Sequence, residues 1–111
     1  MEELEVAIEL LQEVAASTTV TSDYVIPSGK TLYVLRYQTS CPLVADLSIL
    51  VKAVHDPGGA NTPILAEYGS TTVSLKKLFV GDGVKPVRIS LINNSDLPAW
   101  IGVHWSGVTV G

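Results

Sequence analysis

Two histidines and one cysteine are the side chains here best suited to proton transfer or soft nucleophilic attack near neutral pH, so catalysis by such groups would centre on His55, His104 or Cys41. A hydrolytic triad needs a nucleophile, a base within hydrogen-bond reach and a third group that orients the base. Neither histidine sits in such a motif. His55 precedes Asp56 at a strand-to-turn junction, where a histidine ordinarily serves the turn. Cys41 lies between Ser40 and Pro42, without the clustered Cys/His spacing of a zinc site. Gly81-Asp82-Gly83 runs into Val84-Lys85-Pro86 and not into the further glycines or Lys-Ser/Thr pair of a phosphate loop. Asp56 to Asn61 is rich in oxygen and glycine but lacks the regular acidic spacing of a calcium loop. The sequence therefore predicts no enzyme, no metal and no cofactor.

Recognition is better provided for. In Leu97-Pro98-Ala99-Trp100-Ile101-Gly102-Val103-His104-Trp105, a strand would point Ile101, Val103 and Trp105 one way and Trp100, Gly102 and His104 the other. Trp105 then belongs to the core. Trp100 and His104, across the small Gly102, would form a polar-aromatic patch on which a sugar ring or a partner side chain can lie. Tyr33, Leu35 and Tyr37 share a face of another strand by the same alternation. The N-terminus supplies a third candidate. Glu2, Glu3, Glu5, Glu9 and Glu13 are five of the eleven carboxylates, and Leu4, Val6 and Ile8 lie among them. This segment reads as a solvated face or as an acidic arm for a basic partner surface.

The elements that must carry these residues are strands. From Ser17 onward, short runs rich in Val, Ile, Thr and Tyr alternate with Gly, Pro, Asn and Asp punctuation. Strands are expected near Thr18–Ile26, Thr31–Thr39, Asp46–His55, Thr71–Val80, Lys85–Asn93 and Pro98–Val110, the last either continuous or broken at Gly107, with a weaker one at Pro63–Glu67. One face of Asp46–His55 carries Leu47, Ile49, Val51 and Ala53, and one face of Lys85–Asn93 carries Val87, Ile89 and Leu91. A period of two repeated this often predicts an all-β antiparallel sandwich or jelly roll. Residues 1–16 fit either a strand, with Leu4, Val6, Ile8 and Leu10 alternating, or a helical stripe of Leu4, Ile8, Leu11 and Ala15. A sheet edge to join favours the strand, with a bulge between Leu10 and Leu11. The division is an N-terminal arm or first strand, 1–16, and a sandwich, 17–111.

Composition adds a constraint on function. Charged residues make up 16% of the chain against roughly 25% in soluble domains, while 47% are hydrophobic, so apolar surface must remain outside the core. That favours a subunit burying a second surface against another protein or copies of itself. A net charge of −4 disfavours nucleic acid, no apolar run is long enough to span a bilayer, and one cysteine excludes an intrachain disulfide.

The stretch Thr19–Tyr37, TVTSDYVIPSGKTLYVLRY, places an aromatic residue before Ile-Pro-Ser-Gly-Lys and an alternating strand after it. It resembles the opening hairpin of β-sandwich modules in phage structural proteins. In size, strand order and composition, nearly the whole chain resembles the small capsid decoration, or staple, proteins of epsilon15-like short-tailed phages. The resemblance implies a jelly-roll-like domain on the outer capsid surface of the virion, assembled in the bacterial cytoplasm. It further implies that the domain binds the major capsid protein, pairs with itself as a homodimer and ties neighbouring capsomers together. The contacts expected are Glu2, Glu3, Leu4, Glu5, Val6, Ile8, Glu9, Trp100 and His104, with residues 1–13 removable without unfolding the sheet. The alternative is a carbohydrate-binding module using Trp100, His104 and an exposed tyrosine.

Overall fold

In the computed structural model, residues 3–111 are described, with side chains outside 3–9 and 75–77. Eight strands follow one another: β1 (Glu3–Val14), β2 (Thr18–Val25), β3 (Thr31–Ser40), β4 (Ile49–His55), β5 (Thr62–Glu67), β6 (Thr71–Val80), β7 (Pro86–Asn93) and β8 (Ala99–Val110). They form two antiparallel four-stranded sheets, ordered β1-β8-β3-β6 and β2-β7-β4-β5. Apart from the β4–β5 hairpin, consecutive strands never pair. This is the connectivity of a jelly roll, the sandwich the alternation predicted.

The core between the sheets is where the period-two pattern places it. Ile49, Val51 and Ala53 of β4, Val87, Ile89 and Leu91 of β7, and Ile101, Val103 and Trp105 of β8 are all buried. Trp105 meets Tyr24 edge to face, with ring centroids 6.4 Å apart. The weak expectation at 63–67 is a full strand, and β8 runs through Gly107 unbroken.

Four local expectations are corrected. Residues 3–14 are a strand paired with β8 from Glu3↔Val110 to Val14↔Ala99 without interruption, so there is no bulge between Leu10 and Leu11. Leu10 packs toward the core and Leu11 is exposed. Because Val14 is fully buried and β1 covers the whole of β8, residues 3–13 are part of the sandwich and not a removable arm. Asp46–Ser48 is not the start of β4 but the end of a turn from Val44 to Leu47 and the residue after it. Leu47 has φ +54, its N–H donates to the Val44 carbonyl (3.0 Å), and its side chain leaves the core face. Finally, the register of β3 shifts between Val34 and Arg36 against both neighbours. Against β8, Leu35 is an extra residue, whereas against β6 the extra residue lies on β6, and the alternation along β3 reverses there: Tyr33 and Leu35 face outward and Tyr37 turns into the core.

That reversal gives Tyr37 a structural role. Its hydroxyl donates to Glu67 Oε1 on β5 of the opposite sheet at 2.7 Å. Burial, reinforced by the Glu67 carboxylate, pushes the phenol from 10.0 to about 12. A raised folded-state value means that the associated stability is complete below pH 10 and disappears as the pH climbs through 12. Alkaline titration by phenolate absorbance is expected to show a step near pH 12 that Tyr37→Phe removes, together with the loss of stability in that window. A step unchanged in the variant would mean that another tyrosine is the one protected.

Candidate interaction surface

The connections divide between the two ends of the sandwich. At one end, the β1–β2, β3–β4, β5–β6 and β7–β8 connections are stitched together by buried polar groups. Asn93, fully buried, donates through Nδ2 to the carbonyls of Val14 (3.0 Å) and Leu97 (2.9 Å), while its Oδ1 accepts from Ser95 N (3.0 Å) and Ser95 Oγ (2.6 Å). Ser17 N donates to the Ser95 carbonyl and Asn94 N to that of Ser48. Thr39 Oγ1 and Cys41 Sγ both donate to the Gly69 carbonyl.

This stitching fixes the connections well enough to hold large apolar side chains in water. Leu43 is 71% exposed, Leu97 68%, Trp100 61% and Leu47 50%. Between the β3–β4 and β7–β8 connections runs a groove of about 540 Å³, lined by Val44, Asp46, Ser48, Asp96, Leu97 and Trp100 among others. Asp46 Oδ1 accepts from Ser48 N at 3.2 Å, and Ser48 Oγ is buried without a protein partner among the described residues. Asp46 and Asp96 make the groove acidic, and none of the four connections contains a lysine or arginine. The surface is an apolar one with acceptors on its margin, suited to a partner that brings apolar contacts and hydrogen-bond donors.

The far end is built differently. Asp82 Oδ1 accepts from the amides of Val84 (2.9 Å) and Lys85 (2.8 Å), which close the β6–β7 turn; these amides, more than the nearby Lys85 charge, hold its pKa below the ordinary value. Asp56 Oδ2 accepts from Ala60 N at 2.9 Å and closes the β4–β5 turn. Val80 and Val84 are exposed there, beside Lys85.

The residues singled out from sequence are dispersed over this frame. Glu2 lies outside the described residues. Glu3, Leu4, Glu5, Val6, Ile8 and Glu9 all lie in β1, their backbones opposite Val110, Thr109, Val108, Gly107, Trp105 and His104; their side chains lie outside the described set. Trp100 and His104 are both exposed on the outer face of the β1-β8-β3-β6 sheet. Leu11 separates them, its Cδ1 lying 2.7 Å from where a Cβ on Gly102 would be. The gap expected over Gly102 is therefore filled. Trp100 belongs to the end groove, while His104 borders a smaller hollow of about 120 Å³ with Leu11, Gln38 and Ser40. Leu43, Leu97, Asp46 and Asp96 did not stand out, because alternation says nothing about side chains in turns, and Leu47 was read with the inward face of the following strand. The available signal was three leucines set among Pro, Asp and Ser, where burial in a sheet is not possible.

Total surface does not account for the exposed apolar groups. The 6093 Å² observed is close to the value of about 5,900 Å² expected for a monomer of this mass, so the chain is normally compact and its surface is apolar by composition.

No family model matches the sequence, and no curated protein matches it. Among solved structures, the chain is similar to one described by the statement that Bacillus endospore appendages form a novel family of disulfide-linked pili. The similarity covers 96% of this chain and 90% of that one, with 13% sequence identity and a TM-score of 0.40.

Proposed function

We propose that this domain is a structural protein of a virion, a capsid decoration protein that acts by binding. In this reading it sits on the outer capsid surface after assembly in the bacterial cytoplasm, contacts the major capsid protein, and ties neighbouring subunits together. The observation that supports it is the stitched end of the sandwich, where Leu97 and Trp100 stand in solvent at a groove without a cation and Leu43 and Leu47 are exposed on the β3–β4 connection. Side chains of this kind, held by a rigid frame, are the usual anchors of a protein interface. Modest affinity per site suffices, because contacts repeated over a lattice retain the coat through multivalency.

Trp100→Ala is the direct test. The indole is mostly exposed, so the variant is expected to fold with an unchanged circular dichroism spectrum. Cosedimentation with capsid shells is expected to weaken at least tenfold, as loss of a central tryptophan anchor does. Equal cosedimentation of both proteins would remove this end from the interface, and absence of binding by the parent chain would remove the reading itself.

A second reading, a carbohydrate-binding module, is favoured by one observation: an exposed indole shares its groove with the carboxylates of Asp46 and Asp96. Stacking on the ring and acceptance of sugar hydroxyl protons would be its chemistry. A glycan array separates the two readings, since a saccharide signal lost in Trp100→Ala would support the second.

A further inference from the structure

Each of the two connections that wall the Trp100 groove contributes a carboxylate, Asp46 from the β3–β4 side and Asp96 from the β7–β8 side. Asp46 accepts a hydrogen bond through Oδ1 from Ser48 N at 3.2 Å, and Asp96 has no hydrogen-bond or ionic partner among the described residues. Glu13 adds a third acid, exposed on β1 directly opposite Trp100. The same end supplies no base, since all seven lysines and arginines lie outside its four connections. The Lys85–Asp82 pair belongs to the far end and the Arg88–Asp23 pair to the other sheet. Between the acids the wall is apolar, with Val44, Leu97 and the exposed indole of Trp100, and Ser48 Oγ is buried there without a partner among the described residues.

A partner that covered this groove with apolar groups alone would strip water from Asp46 and Asp96 and leave both charges unpaired, a cost that apolar contacts do not return. A cation removes that cost. The indole supplies the other half of a cation site, because its ring quadrupole attracts ammonium and guanidinium groups. Guanidinium suits the place best: it is planar, stacks on an aromatic ring and meets a carboxylate with a fork of two hydrogen bonds.

We propose that the groove receives an arginine side chain from an extended segment of the partner protein. The guanidinium lies between Asp46 and Asp96 beside the Trp100 indole, and apolar neighbours of the arginine rest on Val44 and Leu97. The proposal rests on the reading of this end as the binding surface and adds the chemistry of what is bound: the recognised segment is apolar with a positive charge at its centre. It holds whether or not that partner is a capsid subunit.

Tryptophan emission reads the site, because Trp105 is buried and Trp100 stands in water. The probes are acetyl-Leu-Arg-Leu-amide and its citrulline counterpart, which has nearly the same shape without the charge. Titrated into the full chain, the arginine peptide is expected to bind at least about fivefold more tightly, an advantage that shrinks as salt is added. Asp46→Asn together with Asp96→Asn keeps an oxygen for Ser48 N, so the circular dichroism spectrum is expected to stay unchanged while the preference for arginine disappears. Asp56→Asn together with Asp82→Asn removes the same charge at the far end and leaves the preference intact. Equal binding of the two peptides overturns the proposal, as does an arginine preference that survives loss of Asp46 and Asp96, or no binding of the arginine peptide up to about 10 mM. Cosedimentation with capsid shells is scored separately. Shells bound equally by the Asp46→Asn, Asp96→Asn protein and the parent, but not by Trp100→Ala, would keep the interface and strike the cation; an arginine preference without shell binding would keep the cation and strike the capsid partner.

Discussion

Gly107→Ala is expected to be among the most damaging single substitutions in this domain, lowering stability by about 3 kcal/mol or more. A Cβ at Gly107 would overlap the Tyr33 carbonyl oxygen and lie 3.1 Å from its carbon and 3.2 Å from Val34 Cα. All of these are backbone atoms, so no side chain can rotate away. Gly107 stands opposite Val34 on β3 and Val6 on β1, beside the bulge at Leu35, where β8 and β3 approach closely. The added methyl can be accommodated only by separating the two central strands of the sheet. In urea the variant should show a lower midpoint with an unchanged slope; a midpoint within experimental error of the parent would show that the bulge can flatten.

Asn93→Ala is expected to lower stability by a similar amount, about 3–5 kcal/mol, through a different cause. The side chain makes four hydrogen bonds that join β7 to the end of β1 and to the β7–β8 connection. Its removal leaves the Val14 carbonyl without this donor at a buried site, at about 1–3 kcal/mol for an unsatisfied group, and opens a cavity in the core, while the Leu97 carbonyl keeps Ser95 Oγ as a donor at 2.9 Å. Leucine does no better, since it has the bulk without the polar atoms. Aspartate does worse at neutral pH, since an ionised carboxylate can only accept and would face two carbonyl oxygens. Calorimetry should therefore rank the parent well above Ala and Leu, with Asp lowest. The frame that holds Leu97 and Trp100 would loosen with it, so these variants should lose binding before they lose secondary structure.

How much of this was legible in the sequence depends on how local each determinant is. Val87, Ile89 and Leu91 announced a half-buried strand because the two-residue repeat is written in adjacent positions, and they are buried as read. Leu35 could not be recognised as an extra residue, because a bulge is defined by the partner strand, and β8 lies far away in sequence. Tyr37 was consequently grouped on one face with Tyr33 and Leu35, from which the structure separates it. Residues 3–14 were ambiguous for a related reason: their composition suits a helix, and the pairing with β8 that settles the matter is the longest-range contact in the chain. Leu47 illustrates the limit of alternation at a strand end, where a positive φ takes a leucine out of the core although its spacing matches Ile49, Val51 and Ala53. The interaction surface was half visible. Trp100 stood out by type, but the groove it shares with Val44, Asp46, Asp96 and Leu97 forms only when the β3–β4 and β7–β8 connections come together.

Cys41 shapes what any assembly made with this chain can be. The thiol is buried, it donates to the Gly69 carbonyl at 3.3 Å, and burial raises its pKa, so little of it is thiolate and less is reachable. Covalent welding through sulfur is thus closed to the folded domain. In the assembly proposed above, sulfur would therefore supply no permanent link: subunits held by non-covalent contacts would be lost on dilution and replaced from solution, and the layer's permanence would depend on how many grips each copy keeps at once.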